Sequence, residues 1–248
     1  MARFCRILCG MLLCAGLLAC VTAETARTAD ARRELGLSYL NEGSSELALK
    51  ELELARDLNP RSARIRHELG LAYFSKDLYT LAEKEMLVAI RLDATLTEAK
   101  LNLGSVYIAQ ERFAEAIPLL EQVTQDYLYR KPSRAFNNLG WAYHKIGKRK
   151  EALEAYEKAL RTDPQFCQVL FNVAVIHEEQ EDLSRAANYL ERAVTHCPAE
   201  IRYRFKLGVT LARLDRDDEA LQNLEKVVTT DPSGALGIEA REYIRNLR

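Results

Sequence analysis

Small residues recur along the chain at nearly constant spacing. They lie 34, 34, 36, 34 and 34 residues apart, at Gly36, Gly70, Gly104, Gly140, Ala174 and Gly208. A leucine or valine precedes each of them, and an alanine follows twelve positions later, at Ala48, Ala82, Ala116, Ala152, Ala186 and Ala220. A fixed period of this length indicates stacked, similar units that contact mainly their neighbours in the chain.

Each unit has the pattern of two short amphipathic helices. Glycine allows the two backbones to approach closely at the helix crossing, and alanine keeps the second helix tightly packed. Proline ends the second helix in four units, at Pro60, Pro164, Pro198 and Pro232. The chain has only 11 Gly and 6 Pro among its 248 residues, which also favours helix. We therefore predict an all-α fold.

This pattern resembles the tetratricopeptide repeat (TPR), and the resemblance covers residues 29–232. It implies a right-handed α-solenoid of six repeats, followed by a capping helix within residues 233–248. The predicted repeats are 29–62, 63–96, 97–132, 133–166, 167–200 and 201–232.

The N-terminal segment has the features of an export signal. Arg3 and Arg6 precede an apolar stretch of 13 residues, which is short for a membrane span. The stretch ends in Leu-Leu-Ala-Cys20, which resembles the bacterial lipobox. The resemblance implies that residues 1–19 are removed, that Cys20 is lipidated and that residues 20–28 form a short tether. The alternative is an ordinary signal peptide that is cleaved after Ala23.

The residue after the lipidated cysteine carries information on location. Aspartate there retains Gram-negative lipoproteins in the inner membrane, and this chain has Val21 instead. The resemblance therefore implies a lipid anchor in the outer membrane of a Gram-negative bacterium, on the periplasmic face.

A partner-binding groove is predicted from the first helix of each repeat. The resemblance implies that three positions line it: three before, one after and four after the small residue, which share one helical face. Large apolar residues occupy many of them, namely Leu37, Leu40, Leu71, Phe74, Leu101, Ile108, Trp141, Phe171, Val175 and Phe205. These side chains would bind an apolar or amphipathic peptide. The alternative is that neighbouring first helices cover them as ordinary core.

The single 36-residue interval contains a distinctive segment. It includes Gln125, Asp126, Tyr127, Tyr129 and Arg134, and it leads through a basic, proline-containing turn to an Asn-Leu-Gly helix. This order resembles the PilF/PilW/Tgl family of type IV pilus biogenesis lipoproteins. The resemblance implies a pilotin, which helps outer-membrane secretin subunits to reach the membrane and assemble. A general periplasmic scaffold for another envelope complex, such as peptidoglycan machinery, is the alternative.

Two cysteines remain after the signal segment and Cys20 are set aside. Cys167 opens the first helix of the fifth repeat and Cys197 closes its second, so antiparallel packing brings them together. They form either a disulfide or two free buried thiols.

Charge and motifs argue against other classes of function. The 35 Lys and Arg residues nearly balance the 36 Asp and Glu residues, so we expect no nucleic-acid partner. No HExxH or CxxC motif and no Gly-rich phosphate loop occurs, and we expect no enzyme activity, cofactor, metal or small-molecule substrate. The acidic cluster around Glu178 and Glu179 is interpreted as a solvated helix end.

Overall fold

A computed structural model describes residues 23–248; Cys20 and the predicted signal segment lie outside the described residues. Thirteen helices and no strand occur in this part of the chain, so the all-α prediction is confirmed. Helix α1 covers residues 23–41. The other helices are α2 (Ser45–Leu58), α3 (Ala63–Phe74), α4 (Tyr79–Leu92), α5 (Thr97–Ala109), α6 (Phe113–Gln125), α7 (Pro132–Lys145), α8 (Arg149–Thr162), α9 (Cys167–Glu179), α10 (Leu183–His196), α11 (Ile201–Ala212), α12 (Asp217–Thr230) and α13 (Ala235–Leu247).

The helix starts have identifiable local causes. Helix α3 begins after Ser62, whose side chain accepts a hydrogen bond from the backbone N–H of Ile65. Helix α10 begins after Asp182, which caps the N–H of Arg185 in the same way. Helix α7 begins at Pro132, because proline lacks the N–H that a first helical residue leaves unpaired.

Helix α1 begins earlier than predicted. Residues 23–28, which we assigned to the tether, are helical in the structure. They include Ala, Glu and Arg, which are strong helix formers, and the Thr28 hydroxyl donates to the carbonyl of Glu24 at 3.0 Å. The predicted tether of residues 20–28 is therefore corrected at its C-terminal part.

Glycines mark the closest approach of paired helices. An ideal Cβ on Gly36 would lie 2.6 Å from Leu52 Cγ, and one on Gly70 would lie 2.7 Å from Met86 Cγ. The same relation, sixteen residues apart, joins Gly208 to Leu224. The packing thus accounts for the glycine period.

The turn between paired helices repeats a left-handed residue. Seven positions after each small residue, φ lies between 57° and 80°, at Gly43, Asp77, Glu111, Gly147, Glu181 and Asp215. Only two of these six are glycine, so composition alone does not reveal the conformation.

The described chain divides into two compact units, up to Glu115 and from Ala116 onward. In the first unit, Leu52, Leu69 and Met86 are fully buried or nearly so. In the second unit, Tyr156 and Leu190 are fully buried. Helix α13 packs in the second unit, where Ala240 and Tyr243 join a cluster with Leu224.

Among the described helices, none is both long and apolar enough to span a membrane.

Candidate protein-binding groove

Half-buried apolar side chains lie on the first helices of the first unit. Leu37 and Leu40 are on α1, Leu71 and Phe74 are on α3, and Ile108 is on α5. They occupy the positions one and four residues after the small residue, so they share one face of each helix. Part of every one of these side chains is accessible, and this is the apolar strip of the first unit.

The third predicted row, three residues before the small residue, has a different role. Arg33 Nη1 donates to both carboxylate oxygens of Glu68, at 3.0 and 3.3 Å. The ring Nε2 of His67 lies 2.8 Å from the side-chain amide nitrogen of Asn102. Each of these contacts joins one first helix to the next. This row therefore binds neighbouring helices together.

Leu101 belongs to this third row and is only 4% exposed, in the hydrophobic core. Its assignment to the groove is corrected, because packing leaves almost none of its surface for a partner.

In the second unit, Trp141 on α7 is half-buried and lies among polar groups. The ammonium of Lys145 lies 4.9 Å from the Trp141 ring centre, within cation–π range. His144 presents its ring edge-on at 6.0 Å and places Nε2 3.0 Å from a Glu179 oxygen. Arg149 donates to the other oxygen of Glu179 at 3.1 Å. The indole thus offers an apolar contact that is bordered by charge.

The remaining apolar residues of the second unit differ in accessibility. Val175 is half-buried on α9. Phe171 packs against Tyr203, with ring centres 5.1 Å apart, and Phe205 packs against Tyr243 at 5.9 Å. Both phenylalanines lie in the third row, so much of their surface joins neighbouring helices.

Glu178 corrects our interpretation of the acidic cluster as solvated. Its carboxylate is buried, lies 2.5 Å from the ammonium of Lys206 and accepts a hydrogen bond from the Thr210 hydroxyl at 2.5 Å. Both partners are on α11, so this group joins α9 to α11.

Tyrosines three positions after the small residue donate to glutamates on the preceding second helix. The distance is 2.5 Å from Tyr73 to Glu53 and from Tyr143 to Glu121. Burial, and then the bond to the carboxylate, raises the pKa of each of these two phenols to about 12. They therefore stay protonated as donors at neutral pH.

The 126–131 turn follows α6 in the 36-residue interval. Gln125 lines a cavity of about 340 Å³ with Phe136 and Tyr143. Asp126 caps the turn through a 3.0 Å bond from the N–H of Leu128. The structure leaves Tyr127 and Arg134 exposed and Tyr129 half-buried. The segment is thus spread over a cavity rim and an exposed turn.

Cys167 and Cys197 form a disulfide in the structure, with Cα atoms 6.3 Å apart. The bond joins the start of α9 to the residue after α10. The bond therefore links the two ends of this helix pair that lie opposite the turn between α9 and α10.

Within residues 23–248, no group of three or more His, Cys, Asp or Glu side chains has a metal-binding arrangement.

Comparison with known proteins decides the family. Residues 22–96, 95–165 and 174–235 match the tetratricopeptide repeat. The type IV pilus assembly protein PilF of Pseudomonas aeruginosa is 30% identical over 226 residues, which cover 86% of this chain and 89% of PilF. This chain belongs to the PilF family.

Solved structures agree with PilF-family membership at the level of the fold. The structure of Pseudomonas aeruginosa PilF superposes with a TM-score of 0.77 at 24% identity, covering 89% of this chain and 99% of that one. The structure of PilW, a type IV pilus biogenesis factor, superposes with a TM-score of 0.80 at 16% identity, covering 85% of this chain and 97% of PilW. The PilF-family fold is therefore a tetratricopeptide array, as the repeat pattern predicted.

Proposed function

We propose that this PilF-family protein is a non-enzymatic, lipid-anchored adaptor of the outer membrane that promotes assembly and localisation of the type IV pilus secretin. The observation that carries the proposal is the 30% identity to PilF over nearly the whole of both chains. A family relation of that extent supports a role in type IV pilus biogenesis.

The apolar strip supports an adhesive mechanism. Leu37, Leu71 and Phe74 are half-buried and present apolar surface on consecutive first helices. Burial of such surface contributes about 25 cal/mol per Å², so a peptide laid along the strip gains affinity from every side chain that it covers. In the second unit, Trp141 adds a large aromatic contact with Lys145 beside it. An amphipathic secretin segment with apolar and acidic residues fits this chemistry.

The shifted titratable groups support a structural role for the polar residues. Burial is the main cause of the pKa shifts of His67, Tyr73 and Tyr143. Each of these side chains also contacts a partner on another helix. Such contacts hold neighbouring helices together.

The lipid on Cys20 would localise the adaptor to the outer membrane. Acyl chains contribute about 0.8 kcal/mol per buried methylene, so a multiply acylated cysteine anchors a protein durably. Because α1 already includes residue 23, the proposed anchor and the first helix are separated by few residues. The groove would then meet secretin subunits at the periplasmic face of the outer membrane.

The experiment is a deletion in the native host, with a Cys20→Ala strain beside it. Membrane extracts are run on a gel that preserves heat-resistant secretin multimers. We expect the deletion to remove the multimers and Cys20→Ala to reduce or mislocalise them. Unchanged multimers in the deletion, particularly with altered cell-wall morphology, would refute the secretin role in favour of another envelope partner.

A further inference from the structure

The 126–131 turn carries the two most exposed large apolar side chains among the described residues. Tyr127 is 91% exposed and Leu128 is 73% exposed, whereas the other exposed large apolar residues range from 38% to 50%. The two residues are adjacent, so they form one apolar tip. Such a tip is costly in water unless it contacts something else.

The backbone of the turn is held in a defined shape. The Asp126 carboxylate accepts the N–H of Leu128 at 3.0 Å, and the Asp126 carbonyl accepts the N–H of Tyr129 at 3.1 Å. These bonds order the tip while both side chains project outward. Binding would therefore require little further ordering of the backbone.

Three cations follow the tip. Arg130, Lys131 and Arg134 are all exposed, and none makes an ion pair within residues 23–248. In contrast, Arg112 and Arg216 each contact two carboxylates. The turn thus combines apolar surface with uncompensated positive charge.

This combination matches the chemistry of an anionic bilayer surface. Tyrosine favours the headgroup region, leucine favours the acyl boundary, and lysine and arginine bind lipid phosphates. Both side chains of the tip are largely exposed, so they are free to insert into a fluid surface. We propose that Tyr127 and Leu128 insert into the surface of a bilayer that contains anionic phospholipid, while Arg130, Lys131 and Arg134 bind its phosphates.

This contact is independent of lipid on Cys20 and of any secretin. Where both membrane contacts exist, the turn fixes a second point and so restricts the orientation of the second unit on the membrane. The proposal can therefore fail or succeed separately from the proposed function.

The test places a fluorescent residue in the turn of the full-length chain. Trp141 is the single tryptophan, so Trp141→Phe with Tyr127→Trp leaves one indole at the tip. The protein is reconstituted in vesicles of phosphatidylglycerol with brominated acyl chains, which quench nearby indoles. We expect the emission to shift to the blue and to fall by about half or more, as for an interfacial aromatic residue.

The matched control carries Trp141→Phe with Leu54→Trp, at a half-exposed position beside Glu53. Both chains have the same N-terminal segment, so a difference reports local depth. Adding Arg130→Glu and Lys131→Glu to the Tyr127→Trp chain should lower the quenching at least about threefold. Vesicles of brominated phosphatidylcholine should quench the tip weakly.

Three results would overturn the proposal. They are equal quenching at positions 54 and 127, quenching that survives the charge reversal, and equal quenching by the two lipids. If both positions were quenched only weakly, the result would favour a protein partner for the tip instead.

Discussion

The ring of Tyr156 occupies the space that a side chain on Gly140 would need. An ideal Cβ at Gly140 would lie 2.6 Å from Cε1 and 2.7 Å from Cδ1 of Tyr156, which is fully buried. We therefore expect Gly140→Ala to lower the free energy of unfolding by about 1–3 kcal/mol, despite the better helix propensity of alanine. Urea unfolding followed by circular dichroism measures the change.

Gly70→Ala is the matched control for that substitution. Its added Cβ would lie 2.7 Å from Cγ of Met86, which is flexible, while Tyr156 is a rigid ring. We expect a smaller loss of stability than at Gly140. A larger loss at Gly70 would contradict the explanation by ring rigidity.

The left-handed turn residues offer a stabilising substitution. Glu111 has φ of 59°, a conformation that costs residues with a Cβ about 1 kcal/mol relative to glycine. We expect Glu111→Gly to raise the midpoint of urea unfolding, because Gly43 and Gly147 already serve at the same position in other repeats. Glu115→Gly, within α6, should lower the midpoint because its backbone is helical. A destabilised Glu111→Gly variant would argue against strain at this turn.

Much of the fold could be predicted from the period of small residues, because the helix crossing leaves no room for a larger side chain where Leu52 approaches Gly36 or Met86 approaches Gly70. The left-handed turn was missed, since Asp77 and Glu111 do not carry the glycine signal for such a conformation. The early start of α1 was missed because the repeat pattern begins only at residue 29.

The groove prediction was limited for a different reason. Helical spacing places the three groove positions on one face of each first helix. The next helix, however, covers one edge of that face. Leu101 lies on the covered edge, whereas Leu71 and Ile108 lie on the accessible part. Which edge is covered depends on tertiary packing, and helical spacing alone does not specify it.

Acid is expected to destabilise the protein through His67. Burial lowers the pKa of His67 to about 4, whereas an unfolded histidine has its ordinary value of 6.5. Between these values the unfolded chain binds more protons, so stability falls as pH decreases from about 6.5 to about 4. The expected loss is about 3 kcal/mol.

His67→Gln tests this effect, because glutamine does not titrate and can still bond to Asn102. Urea unfolding at pH 7 and at pH near 4.5 should show a weaker pH dependence in this variant than in the unchanged chain. His196→Gln, at an exposed position, should keep the original dependence. An unchanged dependence in His67→Gln would contradict the assignment.

Reduction is expected to destabilise the second unit. The disulfide joins Cys167 and Cys197, 30 residues apart, and loop closure of that length contributes about 3–4 kcal/mol. We expect dithiothreitol to lower the melting temperature of the unchanged chain. The double variant Cys167→Ala with Cys197→Ala should melt lower from the start and should not respond to dithiothreitol. A reductant-insensitive native chain would indicate free thiols.

The apolar surface of Trp141 should matter more for assembly than for stability. Trp141 is half-buried and contacts the cation of Lys145, so Trp141→Ala removes a large contact surface from the proposed groove. We expect this variant to reduce heat-resistant secretin multimers in cells, with a loss of about 2 kcal/mol in binding to the partner segment.

The control for this prediction is Leu87→Ala, on the second helix α4 and 41% exposed, outside the groove rows. The amount of heat-resistant secretin multimers in the Leu87→Ala strain should equal the amount in the strain with the unchanged chain. Both variants need melting curves, because a reduced amount of multimers reports on partner binding only when the protein remains folded at the growth temperature. If Leu87→Ala impaired assembly and Trp141→Ala did not, the partner would bind the face formed by second helices, and the groove assignment would be wrong.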